Sequence, residues 1–288
     1  MGVMRIAALG LTLAASACTA TISERSLLHP TPAGPLRAEQ LAQAAPAYQM
    51  SEHWIGAADG TRLHAVLLRQ PGARATILYF GGNGFTIGQF GAMTAHWFAP
   101  LGVDLMIVDH RGYGRSGGVP TQAALEADGL AAFDYLTRAA GVPPDRVVVH
   151  GQSLGSFIAG HVAANRPAGG AVLESSATTA EDWVDASHRG LARALVRVRI
   201  DETLRGRGNL PNMARIEEPL LILVGANDRT TPPRLAQALY AASTLPAERK
   251  TLFVALEADH NDVMVKPQTL AAYRHFLNGL TSARQGRR

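Results

Sequence analysis

Val147, Val148 and Val149 run through His150 into Gly151-Gln152-Ser153-Leu154-Gly155, and a helix-like stretch follows from Phe157 to Asn165. A β-branched run, a tight turn and a helix, in that order, make a frame that lifts a serine hydroxyl clear of a sheet. Glycine at 151 and 155 lets neighbouring backbone pack close. The N–H of Leu154, next after the serine, then faces a carbonyl under attack. The stretch predicts Ser153 as a nucleophile and Leu154 as one donor of an oxyanion hole.

The rest of the chain repeats the alternation of strand and helix. His53 to Arg69 reads as a hairpin with Asp59-Gly60 at its turn. Apolar strands are predicted at Arg74 to Phe80, Asp104 to Asp109, Arg146 to His150, Ala171 to Glu174, Leu220 to Val224 and Thr251 to Leu256. Helical patterns fall at Ile87 to Phe98, Thr121 to Ala139, Pro233 to Ala242 and Gln268 to Leu280, with Thr121 placed as a cap. Such alternation implies an α/β fold, a mostly parallel central sheet with helices on both faces. In these sheets the reactive groups gather at the carboxyl ends of the strands.

Partners for Ser153 are therefore sought just after each strand. Asp228 follows Leu220 to Val224, and His260 follows Thr251 to Leu256. A serine hydroxyl needs a base hydrogen-bonded to it, and the base needs a buried carboxylate that fixes its tautomer. His260 is read as the base and Asp228 as the acid, with Glu174, which also ends a strand, as the other candidate acid. Asp259 and Asp262 flank His260 and read as loop residues. His150 reads as core, His64 as structural, and His110 as part of a turn. The second oxyanion donor is expected from the turn after Phe80, with the N–H of Asn83 preferred and Gly82 as the other choice.

Taken together these residues resemble the α/β-hydrolase superfamily, in its serine esterase and lysophospholipase-like branch. That branch carries His-Gly-Asn, Asp-x-Arg-Gly-Tyr-Gly-x-Ser and Gly-x-Ser-x-Gly after successive strands. This chain reads Gly81-Gly82-Asn83, Asp109-His110-Arg111-Gly112-Tyr113-Gly114-Arg115-Ser116 and Gly151-Gln152-Ser153-Leu154-Gly155. Gly81 departs from the family histidine, which puts the shape of the oxyanion turn, not its N–H supply, in question. The second motif reads as a structural turn beside the site. The resemblance implies a Ser-His-Asp hydrolase of carboxylic esters, acting on a small-molecule or lipid ester, with no metal or organic cofactor. The alternatives are a peptidase or amidase on the same triad, or a binding protein that kept the fold without the activity.

The chain opens on a short positive segment, an apolar run from Ile6 to Ala17, and then Cys18, the single cysteine of 288 residues. Spanning a bilayer takes about twenty apolar residues, so the run reads as a signal peptide over 1–17. Ala15-Ser16-Ala17-Cys18 resembles a bacterial lipobox. That resemblance implies lipid anchoring through Cys18 and an outer-membrane location, a periplasmic one being the alternative. Residues 18–50 are expected to hold the anchor and a tether, and 51–288 the hydrolase domain. One cysteine excludes an internal disulfide. A net charge of +4 with no basic run interleaved with aromatics gives no support to nucleic-acid binding.

Between two predicted core strands lies an insertion of about 176–216. Trp183, Leu191, Leu195 and Val198 recur at helical spacing there, with Arg189, Arg193 and Arg197 beside them. The expectation is an amphipathic helical cap over an acyl pocket, in reach of anionic lipid.

Overall fold

The computed structural model describes residues 18–31, 34–187 and 196–285. The elements run β1 (Cys18–Ile22), α1 (Glu24–Leu27), α2 (Ala38–Ala44), β2 (Gln49–Gly56), β3 (Arg62–Arg69), β4 (Thr76–Phe80), α3 (Ile87–Phe98), β5 (Asp104–Val108) and α4 (Gln122–Asp134). They continue with β6 (Val147–Gln152), α5 (Leu154–Ala163), β7 (Gly170–Glu174), α6 (Ala180–Ser187), β8 (Val196–Ile200), β9 (Leu220–Gly225), α7 (Pro233–Ala242), β10 (Lys250–Ala255) and α8 (Pro267–Gln285).

Eight of the described strands form one sheet in the order β10-β9-β7-β6-β4-β5-β3-β2. From β10 to β5 every pairing is parallel, and β3 and β2 close one edge antiparallel. The hairpin turns at 57–61, where Gly60 takes φ 82°. The inner strands bury both faces, as a parallel sheet must. In β9, Leu220, Ile222 and Val224 join one core while Leu221 and Leu223 join the other. Leu125 and Phe133 of α4, Ile158 and Val162 of α5 and Leu239 of α7 fill the first core. Ile87 and Phe98 of α3, with Tyr273 and Leu277 of α8, fill the second. Thr121 caps α4, its Oγ1 accepting the Ala124 N–H at 3.1 Å.

Two expectations change. The later part of the segment expected to hold the tether packs on the domain, from Leu28, read as reaching it, on to Tyr48. Leu28, Leu41 and Tyr48 are buried. The Tyr48 hydroxyl donates to the Val103 carbonyl at 2.9 Å, and the Gly114 N–H donates to Thr31 O at 2.9 Å. Leu41 packs where α3 carries Gly91, whose missing Cβ would stand 3.4 Å from Leu41 Cδ1. Its Ala- and Pro-rich composition hid these widely spaced apolar anchors, each of which gains burial energy only from the folded sheet.

The insertion is also not one helix. After α6, residues Val196 to Ile200 form β8, which pairs in parallel with β1, Cys18 opposite Val196 and Ile22 opposite Ile200. Val196-Arg197-Val198-Arg199-Ile200 alternates β-branched and charged residues with period two, and that pattern overrides the i, i+4 spacing of the arginines. Val198 and Arg197 therefore sit on a strand. Leu191, Leu195, Arg189 and Arg193 lie outside the described residues. Among the described residues no helix is long and apolar enough to cross a membrane.

Candidate active site

β6 delivers Ser153 at its carboxyl end. The serine takes φ 51° and ψ −116°, a conformation L-residues rarely adopt, and α5 begins at the next residue. The surroundings hold this strained turn in place. Ser153 N–H donates to the Glu174 carbonyl at 2.9 Å, and the Ser156 hydroxyl donates back to Ser153 O. Glycine is required on both sides. A Cβ on Gly151 would stand 2.0 Å from Gly155 O, and one on Gly155 would stand 2.1 Å from Phe80 O. The close approach of α5 to β4 and β6 thus depends on those two residues.

His260, in the loop after β10, brings its Nε2 to 2.9 Å from Ser153 Oγ. Its Nδ1 lies 2.8 Å from Asp228 Oδ2, in the loop after β9. Asp228 is 3% exposed, and both of its oxygens are occupied. Oδ1 accepts the N–H groups of Thr230 and Thr231, each at 2.8 Å. Oδ2 has the Thr231 hydroxyl at 2.8 Å beside the imidazole. Burial pushes the Asp228 carboxyl up, but the hydrogen bond and charge of His260 and the bonds from Thr231 outweigh it. The net result lies below the ordinary carboxylate value. The carboxylate stays ionised and fixes the ring with Nε2 turned to the serine.

Glu174, the other candidate acid, turns away from His260. Its Oε2 lies 2.9 Å from His150 Nε2 inside the core. Asp259 and Asp262 bond within their own loop, the Asp259 N–H to Asp262 Oδ1 at 2.6 Å, and Asp262 pairs with Lys266 at 2.9 Å.

The turn after β4 faces the serine. The Asn83 side chain is fully engaged: Oδ1 accepts the His29 N–H at 3.0 Å and the Tyr113 hydroxyl at 2.8 Å, and Nδ2 donates to Leu27 O at 2.7 Å. Burial pushes the Tyr113 hydroxyl up to about 12, so it remains a donor. His110 Nε2 lies 2.7 Å from Gly81 O, one residue before Gly82. The Asp109-to-Ser116 motif thus acts as scaffold. Asp109 Oδ1 accepts the Ile87 N–H at 2.7 Å, Oδ2 lies 2.7 Å from His64 Nδ1, and Arg111 bonds Asp128 and Asp59.

Between these groups lies a cavity of about 260 Å³. Ser153, His260, Leu154, Gly82 and Asn83 line it on one side, and Phe157, Ala177, Ala180 and Trp183 give it an apolar wall. Leu27, from the segment before the sheet, closes another side. Sequence reasoning assigned no part to Thr231, Gln152 or Leu27. The Thr-Thr pair after Asp228 was a usable signal for the first, since such hydroxyls bond a carboxylate two or three residues back. Leu27-Leu28-His29-Pro30 reads as reaching the domain, but nothing in the local sequence marks Leu27 as a wall of the cavity. Among the described residues no group of three histidine, cysteine, aspartate or glutamate side chains stands close enough to hold a metal ion.

A mostly parallel eight-stranded sheet, helices on both faces and a serine on a strained strand-to-helix turn define the α/β-hydrolase fold. The model of the serine aminopeptidase, S33 family matches residues 71–211. A human α/β hydrolase domain-containing protein 17B is 27% identical over 220 residues, 76% of this chain and 72% of that one. A Mycobacterium tuberculosis protein is 33% identical over 179 residues, 62% of this chain and 60% of its own length. Among solved structures, the Pyrococcus furiosus esterase Pf2001 superposes with a TM-score of 0.71 at 16% identity, over 88% of this chain and 99% of that one. The chain has the α/β-hydrolase fold, and its sequence likeness falls in that superfamily.

Proposed function

We propose that the protein is a serine hydrolase of carboxylic esters. The observation that carries this reading is the unbroken relay from Asp228 through His260 to Ser153, at 2.8 and 2.9 Å. His260 Nε2 takes the Ser153 proton as Oγ attacks the ester carbonyl, and Asp228 stabilises the imidazolium. Leu154 opens α5, so its N–H has no acceptor inside that helix and is free for the oxyanion. The Asn83 N–H is the second donor, on a turn that its own side chain clamps. His260 then protonates the leaving alcohol, and water deacylates the enzyme by the reverse proton path. The cavity against Phe157 and Trp183 takes the acyl chain. A fluorophosphonate probe tests the nucleophile: it labels Ser153, and Ser153→Ala loses labelling and ester hydrolysis together. Label on a different serine, or full activity in Ser153→Ala, overturns the reading.

The location is a separate proposal. Cys18 carries a lipid anchor, so the protein made in a bacterium with lipoprotein processing fractionates with outer membranes. Cys18→Ala then releases it or stalls its maturation. Soluble periplasmic protein cut at another bond would overturn the anchor and leave the hydrolase reading intact.

A further inference from the structure

A second cavity, of about 300 Å³, lies beyond Gly82 and Gln152 and shares Gly82, Asn83, Gln152 and Asn261 with the first. Gln152 stands where they meet: its Oε1 would lie 2.2 Å from a Cβ on Gly82, and its Nε2 donates to His260 O at 3.3 Å. One flank is aromatic, with Tyr79, Phe85, Phe90 and Trp97. Among the described lining residues Glu174 is the only charged one, and it is 2% exposed.

The proton inventory behind Glu174 runs one way. The Tyr273 hydroxyl lies 3.1 Å from His150 Nδ1, and His150 Nε2 lies 2.9 Å from Glu174 Oε2. Both Tyr273 and His150 are fully buried. The arrangement that satisfies every donor has the tyrosine donating to Nδ1 and a neutral imidazole donating from Nε2 to the carboxylate. The negative charge then rests on Glu174. Its second oxygen has no hydrogen-bond partner among the described residues, and the described residues of the cavity lining include no cation. A carboxylate left so in a low-dielectric setting favours a positive group beside it. Aromatic faces favour the same kind of group.

We propose that this cavity is a subsite for an organic ammonium group carried on the alcohol half of the ester. The proposal rests on the hydrolase reading for its place in the reaction. With the acyl chain against Phe157 and Trp183, the alcohol half passes over Gln152 and Asn261, beside the base that protonates it. The ammonium seats between Glu174 and the aromatic flank.

Two measurements test it. The first compares kcat/KM for butyrylcholine and for 3,3-dimethylbutyl butyrate, its uncharged carbon isostere. Wild type is expected to prefer the cation by about tenfold or more. In Glu174→Gln that ratio falls to near one, whatever the absolute rates. Trp97→Leu, on the surface side of α3, lowers the ratio several-fold and serves should Glu174→Gln not fold. The second measurement titrates phenyltrimethylammonium into Ser153→Ala by calorimetry, with no turnover required. Saturable binding that is lost in Ser153→Ala/Trp97→Leu supports the subsite. A wild-type ratio of one or below, or no binding heat at millimolar ligand, overturns it. Should no ester be cleaved and no fluorophosphonate bind, the hydrolase reading fails, and the calorimetry still decides the subsite.

Discussion

The two sides of the cavity around Ser153 are built differently. On one side Ser153, Asp228 and His260 stand on loops that leave β6, β9 and β10 at the carboxyl edge of one sheet. Their spacing is set by the sheet, and every oxygen of Asp228 is bonded. The opposite side is assembled from segments remote in sequence: Leu27 before the sheet, Asn83 after β4, and Trp183 in α6. Asn83 clamps the Leu27 segment through its side chain, and Trp183 comes in by apolar packing, with no ladder between them. The proposed proton relay thus stands on the sheet, while the assembled part carries the proposed pocket wall and the second oxyanion donor, a division that lets selectivity vary while the relay stays fixed.

The strongest way to break that division is to damage the relay. Ser153→Ala and His260→Ala are expected to lower kcat on the order of ten-thousandfold or more, and Asp228→Asn about a thousandfold or more. Purified variants assayed on p-nitrophenyl esters give the numbers, with thermal melts alongside. Survival of activity in Asp228→Asn would return the acid role to another carboxylate.

Thr231→Val comes next. Its single hydroxyl proton stands between Asp228 Oδ2 at 2.8 Å and Ser175 O at 2.9 Å, and the substitution removes the bond it gives the carboxylate. A loss of about tenfold in kcat at near-constant KM is expected, since a lost bond to a charged group is worth about 1.5–3 kcal/mol. An unchanged kcat would show that the backbone N–H groups alone hold the carboxylate.

On the assembled side, Asn83→Ala frees the turn from Leu27, His29 and Tyr113. A fall of about fivefold to tenfold in kcat/KM is expected for every ester, through a misplaced oxyanion N–H. Trp183→Ala acts otherwise. It lowers kcat/KM for octanoate by about fivefold and leaves acetate close to wild type, because only the longer chain reaches the lost surface at about 0.8 kcal/mol per methylene. Equal losses on both esters would mean that Trp183 supports the wall without touching the chain.

The smallest effect is one of pH. Burial holds the His110 imidazole below its ordinary value of 6.5, outweighing the raising effect of its bond to Gly81 O. The unfolded chain therefore binds more protons than the folded one just below pH 6.5. Stability is fully present above that pH and is lost as pH falls from about 6.5 toward the lowered folded value. Urea midpoints between pH 7.5 and 5 measure it, and His110→Gln is expected to flatten the slope. An unaltered slope would assign the acid loss to other groups.

Much of the rigid side was legible in the sequence. The elbow, the strand ends and the order of Ser153, Asp228 and His260 are local signals, and the fold they imply is the one observed. The histidine readings also fit: His150 is core and His64 pairs with Asp109. On the assembled side Asn83 and Trp183 were singled out in the sequence, but the pairing of β1 with β8 was not, for a physical reason. β1 gains its strand identity from β8, and no window of sequence contains both. The insertion offered two periods at once, arginines at helical spacing and an alternating Val-Arg-Val-Arg-Ile, and only the pairing with Cys18 to Ile22 decides between them. Glu174 was weighed as an acid because it ends a strand. The deciding partner, His150, sits on the neighbouring strand with its ring already committed to the core.

The pairing of β1 with β8 has a consequence for how the molecule comes into being. Its two strands lie about 180 residues apart, so closing them forfeits the chain entropy of a very long loop and draws on nothing nearby for nucleation. A two-stranded ribbon of this kind docks late and opens early. During synthesis its first strand leaves the ribosome long before its mate exists. The relay matures with the central sheet, while the ribbon closes afterwards. Amide exchange should find β1 and β8 opening together, well below the free energy that holds β6.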